Sequence, residues 1–358
     1  MWLLVAMIAA TLAVLLYTLA FLLQRLYFHD KVRVTCSNAN YERHIAKMPS
    51  LFSRIYYYPL LWGGFNLFQD VVATRLMPSP FKPLLGLDYA REILPSEQEE
   101  YEDVILDWYA CTSNTLFDKY NCFSPMDSSN KTTSASQNDA KDASFEKNIP
   151  TIIYFPGITG SSNSIHTQQF LSLFRDHFRI VVYNRPGTVR KLQKVKYFLN
   201  SSTELVTHIV SHVDKKLKFS SPLLLVGLST GGNNILRYLG QVNQKLVSER
   251  IIGAIALSHF YDVYKCAQQL EKTPTYMKVM LDSLKGVLNS NRSLMLAFEK
   301  QQEERNPSLQ TSSKFSLAKI DKCKSMLEFD ECYLGPIHGF TNVKEQYYKS
   351  RTVTMECL

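Results

Sequence analysis

From Thr151 onward, short apolar runs alternate with stretches whose apolar residues recur every three or four positions. TIIYFP (151–156), RIVVYN (179–184), PLLLVG (222–227) and IIGAIAL (251–257) are each apolar almost throughout. That unbroken character predicts strands buried on both faces of a mostly parallel sheet. Between 201 and 218, Leu205, Ile209, Val213 and Leu217 fall every four residues with Val206 and Val210 beside them. This is a helix with one buried face, and Ser201 with Glu204 forms a capping box at its start. Upstream, VILDWYA (104–110) reads as another strand, and MPSPFKP (77–83) as an extended connection that no helix interior could hold. The alternation of strand and helix predicts an α/β fold with helices on both faces of the sheet. No internal repeat is visible.

Two segments stand outside this rhythm. Residues 1–24 carry no charge and as a helix would extend roughly 36 Å, enough to cross a hydrocarbon layer of about 30 Å. The run passes through Tyr17 and Phe21 straight into Arg25 with no small-residue exit, which predicts an uncleaved transmembrane anchor rather than a removed leader. Arg25, Lys31, Arg33, Arg43 and Lys47 follow it and place the body of the chain in the cytosol. The N-x-S/T sequons at Asn130, Asn200 and Asn291 point instead to a luminal face. The expectation is a single-pass protein of the endoplasmic reticulum or plasma membrane with its orientation open. Residues 121–148, rich in Ser, Asn, Asp, Lys and Thr, read as a disordered surface insertion. The aromatic residues between Phe52 and Phe68 suit an interfacial belt, the underside of a lid, or core packing.

Composition narrows the class. With 358 residues, 46% apolar and 20% charged, the chain has the balance of a globular protein and is too large for a disulfide scaffold. Seven cysteines include no C-x-x-C, and no H-E-x-x-H occurs, so no metal is expected. The net charge of +8 comes without a nucleic-acid-binding module and gives no reason to expect DNA or RNA. Basic residues cluster at Arg185, Arg190, Lys191, Lys194 and Lys196 and again at Lys215, Lys216 and Lys218, where they could hold lipid headgroups or simply face solvent.

The chemistry concentrates at Gly227-Leu228-Ser229-Thr230-Gly231, which follows LLLV and precedes a helix-compatible run. In this strand–turn–helix setting G-x-S-x-G is a nucleophile elbow: the turn is so sharp that Gly227 and Gly231 must lack a Cβ, and Ser229 is lifted above the sheet edge at a helix N-terminus. Strand 151–155 runs into Pro156-Gly157-Ile158-Thr159-Gly160, where such hydrolases take a second oxyanion donor. The Ile158 and Thr230 amides are the expected pair. The same loop lacks G-x-x-x-x-G-K, so it is not a nucleotide cradle. No cofactor is required.

These residues resemble a known family, the membrane-anchored α/β-hydrolase-domain lipases, nearest the monoacylglycerol lipase branch. The matching pieces are YPLLWGGFNLFQ (58–69), PGITGSS (156–162), VVYNRPG (181–187), GLSTGGNNILRYLG (227–240) and HGFTNVKEQYY (338–348), in the family's order and spanning roughly residues 50–350. The resemblance implies an α/β-hydrolase fold with an N-terminal anchor, Ser229 as nucleophile, and lipid esters, acylglycerols among them, as substrates at the bilayer. The expected division is an anchor (1–24), a juxtamembrane segment (25–103) and the hydrolase domain (104–358), within which the sequence permits a helical lid over 258–335. The resemblance also implies an Asp and a His beyond HGFTNVKEQYY, yet the tail KSRTVTMECL holds neither, so the last strands look missing. His259 and Asp262, just past IIGAIAL, are the surrogate acid–base pair; His338 reads as structural. A non-catalytic lipid- or steroid-binding protein built on the same pocket is the rival.

Overall fold

The computed structural model describes residues 89–109, 149–197, 199, 202–218, 221–241, 247–305 and 314–348, together with Thr11, Leu15 and Leu19. The chain divides into two units, Met1–Pro78 and Ser79–Leu358. In the first, Thr11, Leu15 and Leu19 are helical and exposed; the rest of the predicted anchor and the aromatic stretch 52–68 lie outside the described residues. Among the described residues no helix is long and apolar enough to cross a membrane. The insertion 121–148 and the sequons Asn130 and Asn200 also lie outside them.

The second unit is built on six strands: β1 (Ala90–Leu94), β2 (Val104–Tyr109), β3 (Thr151–Phe155), β4 (Arg179–Asn184), β5 (Leu223–Leu228) and β6 (Ile251–Leu257). They lie in the order β1-β2-β4-β3-β5-β6. The pairs β1–β2 and β2–β4 are antiparallel, and the rest are parallel. Because side chains alternate across a strand, the apolar runs fill two separate cores. On one face Leu106, Trp108, Ile153, Phe155, Val181 and Leu225 pack with α2 (Thr203–Lys216) and α3 (Thr230–Gln241). On the other, Ile152, Tyr154, Ile180, Val182 and Val226 meet α1 (Ile165–Phe174).

The predicted runs thus fold as strands, with two differences. β1 was not anticipated and belongs to the sheet, which therefore begins fourteen residues before the boundary expected at 104. β6, expected to be buried on both faces, is the outer strand of the described sheet: it pairs only with β5, and Ile252 is 70% exposed. The N-cap is also Ser202 rather than Ser201, so the expected Ser201–Glu204 box gives way to a simple serine cap, and Ser202 N donates to Leu199 O. Ser202, in extended conformation, accepts from Leu205 N (3.2 Å), while its hydroxyl meets Glu204 (2.6 Å).

A helical layer follows β6: α4 (Val263–Glu271), α5 (Pro274–Ser290), α6 (Arg292–Arg305), α7 (Leu317–Lys322), α8 (Met326–His338) and a π-helical turn, Lys344–Tyr348. It has its own core, which draws in Leu192, Val195 and Leu199 from the connection after β4. Asn291 ties the two together. Its side chain is only 4% exposed, accepts from Leu192 N and donates to Val287 O, both at 2.7 Å. In the fold this sequon asparagine is therefore buried and bonded at both ends rather than presented to solvent. Several members of the basic clusters are likewise engaged within the protein, while Lys191, Lys215 and Lys218 are exposed. Arg190 pairs with Glu102 (2.7 Å), Lys196 with Glu100 (2.6 Å) and Lys216 with Glu92 (2.8 Å). Arg185 is buried. Cys266, Cys323 and Cys332 are unbridged.

Candidate active site

The turn from β5 into α3 has the geometry expected of an elbow. Ser229 takes φ +53°, a left-handed conformation that a serine adopts only when its surroundings enforce it. The enforcement comes from the neighbours. A Cβ on Gly227 would lie 2.5 Å from Gly232 N, and one on Gly231 would lie 2.6 Å from Phe155 C and 2.9 Å from Pro156 O. Ser229 N donates to Leu257 O at the end of β6 (2.8 Å), and Asn233 Nδ2 donates to Phe260 O (2.9 Å), so the elbow is fixed to the chain that leaves β6.

The loop after β3 lies directly against the serine: a Cβ on Gly157 would be 3.4 Å from Ser229 Cβ and 3.9 Å from its Oγ. The loop closes on itself through Gly160 N to Gly157 O (3.0 Å), with Thr159 at φ +51°. No described backbone group accepts from Ile158 N or Thr230 N. Both residues line one cavity of about 80 Å3, whose walls are mostly apolar side chains of α4, α5 and α8.

Three polar residues that sequence reasoning did not single out hold this loop. Arg185, directly after β4, donates from Nη2 to Pro156 O (3.1 Å) and Thr230 Oγ1 (2.8 Å) and from Nε to Gly157 O (3.2 Å). Burial lowers its pKa, and its guanidinium lies 5.5 Å over the Tyr183 ring. Asn184 Oδ1 accepts from Ser162 N (2.8 Å) at the loop's far end. There Ser162 Oγ donates to Asp107 (2.6 Å), a fully buried carboxylate in β2 that Arg91 clasps through two bonds of 2.8 and 2.9 Å. One signal was present in the sequence: Asp107 is the sole charged residue of VILDWY, and a charge in a buried strand is paired. Arg185, by contrast, was hidden inside a basic cluster.

The candidate acid–base pair is not assembled as a pair. Asp262 caps α4, accepting from Lys265 N (2.8 Å), and lies 3.6 Å from Lys265 Nζ. His259 packs against the first turn of α3, so closely that a Cβ on Gly232 would fall 2.8 Å from its own Cβ, and its Nε2 is buried without a hydrogen-bond partner. Its ring stands edge-on to Tyr261 at 4.6 Å. His338 lies between Tyr101 (6.0 Å) and Phe340 (5.8 Å) at the end of α8. No described residue hydrogen-bonds Ser229 Oγ. Among the described residues no group of three His, Cys, Asp or Glu could hold a metal ion.

One carboxyl reaches the cavity. Asp330 of α8 lines it and accepts from Tyr348 OH at 2.6 Å. Desolvation pushes its carboxyl up to about 7, with Glu331 adding to the rise and Tyr348 opposing it.

Comparison with known proteins gives the relationship. No family model matches the chain. The human protein named phospholipase ABHD3 is 24% identical over 296 residues, which are 81% of this chain and 59% of that protein. Human monoacylglycerol lipase ABHD2 is 22% identical over 206 residues, 55% of this chain and 46% of that one. The chain thus spans about half to three fifths of the length of the curated relatives it matches. Among solved structures, an esterase from Pyrococcus furiosus overlaps 58% of this chain and 63% of its own at 13% identity, with a TM-score of 0.37. That overlap is too slight to add to what the strand order and the elbow establish. The chain is a homologue of the α/β-hydrolase-domain proteins, ABHD2 and ABHD3 among them.

Proposed function

We propose that this chain is a serine hydrolase that cleaves lipid acyl esters. The observation that carries the reading is Ser229 itself: held at φ +53° between two glycines that tolerate no Cβ, it adjoins Thr230 and the Gly157–Ile158 turn, whose residues Ile158 and Thr230 line a mostly apolar cavity and whose amides meet no described backbone acceptor. Strain of this kind is maintained where a nucleophile must be presented. Ser229 Oγ attacks the ester carbonyl, and the Ile158 and Thr230 amides receive the developing oxyanion. The alcohol leaves and water then releases the acid from the acyl-enzyme. The names of the relatives, a phospholipase and a monoacylglycerol lipase, support lipid esters as the substrate class. The helices after β6 serve as a lid, and the apolar run 1–24 tethers the chain to the endoplasmic reticulum or plasma membrane beside its substrate.

The attack needs a base, and His259, with an unpartnered Nε2 and its packing against α3, is the described candidate. The absence of a hydrogen bond to Ser229 Oγ among the described residues favours one alternative, a lipid-binding protein that retains the pocket without turnover. Fluorophosphonate labelling decides between them. Labelling of the chain that is lost in Ser229→Ala supports the hydrolase, and its loss in His259→Gln assigns the base. A folded chain that binds lipid but does not label at Ser229 overturns the hydrolase reading in favour of the alternative.

A further inference from the structure

The cavity lined by Ile158 and Thr230 has mostly apolar walls and a single carboxyl. Tyr197, Phe329, Leu334 and Tyr347 line it together with Asp330, which is only 8% exposed. A carboxyl in such surroundings is costly unless its oxygens are engaged. One of them is: Oδ2 accepts from Tyr348 OH. The other, Oδ1, takes no hydrogen bond from any described residue. Holding Tyr348 needs a single acceptor, which leaves the second oxygen without a partner among the described residues. Since Asp330 lines the cavity that Ile158 and Thr230 also line, a ligand seated there is within the same enclosure as this oxygen.

We propose that Asp330, braced by Tyr348, is a specificity residue that receives a hydroxyl group on the ligand filling the cavity. The inference rests on the reading of this cavity as the ester site and names a substrate feature: a lipid ester with a free hydroxyl is preferred to its fully capped counterpart. A hydroxyl suits the point because it both donates and accepts, and so bonds a carboxyl in either protonation state. It also brings no net charge into an apolar enclosure, where a cation would lose its hydration. The hydroxyl can belong to the alcohol part of the ester or to its acyl chain, since the chemistry Asp330 offers is the same.

The test is equilibrium binding to the full Ser229→Ala chain, which cannot turn ligand over. Octyl glyceryl ether is compared with its dimethyl ether for the alcohol side, and methyl ω-hydroxyoctanoate with methyl octanoate for the acyl side. One buried hydrogen bond to a carboxyl predicts roughly ten-fold tighter binding of the hydroxyl member in at least one pair, and the pair that responds identifies the source. In the Asp330→Leu background the preference falls below about two-fold while the capped member still binds. Should that variant fail to fold, Asp330→Asn keeps the shape and the acceptor for Tyr348 and lowers the preference about three-fold. Equal binding within both pairs, binding of neither, or a preference that survives at position 330 overturns the proposal. Fluorophosphonate labelling reads the hydrolase separately, so a chain that labels at Ser229 without hydroxyl preference overturns this inference alone.

Discussion

Replacing Arg185 by methionine tests whether the 156–162 loop is held from outside. The guanidinium donates, among its bonds, to Pro156 O, Gly157 O and Thr230 Oγ1, at 3.1, 3.2 and 2.8 Å. They are unequal in consequence. Gly157 O keeps a second donor in Gly160 N, and Thr230 retains a rotatable hydroxyl, whereas Pro156 O loses the donor the structure gives it. A buried carbonyl stranded in this way costs about 1–3 kcal/mol, and the two weakened bonds add about 1 kcal/mol. Against this, methionine removes the desolvation that depresses the pKa of Arg185, so part of the loss is returned. The net expectation is a folded variant destabilised by about 1–3 kcal/mol in urea unfolding. The local effect is larger than the global one. Hydrogen exchange over residues 156–162 rises at least ten-fold while β3 and β4 stay protected, because the loop loses its anchor and the strands do not. Arg185→Lys, which cannot span both carbonyls and the hydroxyl, recovers stability more than it recovers loop protection. Unchanged exchange over 156–162, with stability within about 0.5 kcal/mol of the parent, would refute the reasoning.

Two further outcomes follow from the same structure. Gly231→Ala places a Cβ 2.6 Å from Phe155 C, so the elbow backbone must move, and the variant loses both Ser229 labelling and soluble yield; Gly286→Ala, in an exposed turn of α5 with nothing within 4 Å, instead raises stability by about 0.5–1 kcal/mol in the same unfolding assay. Asp330 makes stability fall with pH. Its carboxyl is raised from 3.8 to about 7 in the fold, so its contribution is fully present below about pH 4 and is lost as pH climbs through 7. About three pKa units correspond to roughly 4 kcal/mol, and Asp330→Asn removes that share of the decline between pH 4 and pH 8 in pH-dependent urea titrations; a slope unchanged by the substitution means that Asp330 is not the group that titrates and overturns the prediction.

What the sequence disclosed and what it hid follow from range. The runs 151–155, 179–184 and 251–257 are legible because a strand in a parallel sheet is apolar along its length. Ser229 is legible because its glycines report a steric need that only a sharp turn creates. β1 escapes because AREIL alternates, half exposed, and gains its meaning from a partner: Arg91 lies opposite Asp107 across the β1–β2 pair. The basic cluster misleads for a similar reason. Arg185 and Arg190 are five residues apart in one polar stretch, yet one is buried under the elbow and the other reaches back to Glu102 near β2. Hydropathy records that a residue is charged and leaves open which distant group meets it. Asn291 shows the same limit, since a sequon reads identically whether its amide faces solvent or is bonded at both ends to the backbone.

The polar residues missed in this way answer a problem set by the proposed chemistry. A loop that must present a free amide to an oxyanion cannot spend that amide on its own folding. Ile158 N is accordingly unengaged, and the loop's internal closure rests on Gly160 N alone. Its rigidity has to enter through its carbonyls and its far end, which require donors and acceptors from elsewhere. Consecutive residues at the end of β4 supply both. Asn184 takes Ser162 N, and Arg185 gives to Pro156 O and Gly157 O while also fixing Thr230, which provides the second amide. Arginine suits the task because it offers several donors in a rigid fork and accepts nothing, so it does not compete for the amides the site must keep free. A buried guanidinium beneath the elbow, unfavourable as a contribution to folding alone, becomes intelligible as the means by which two separate turns are held in one register.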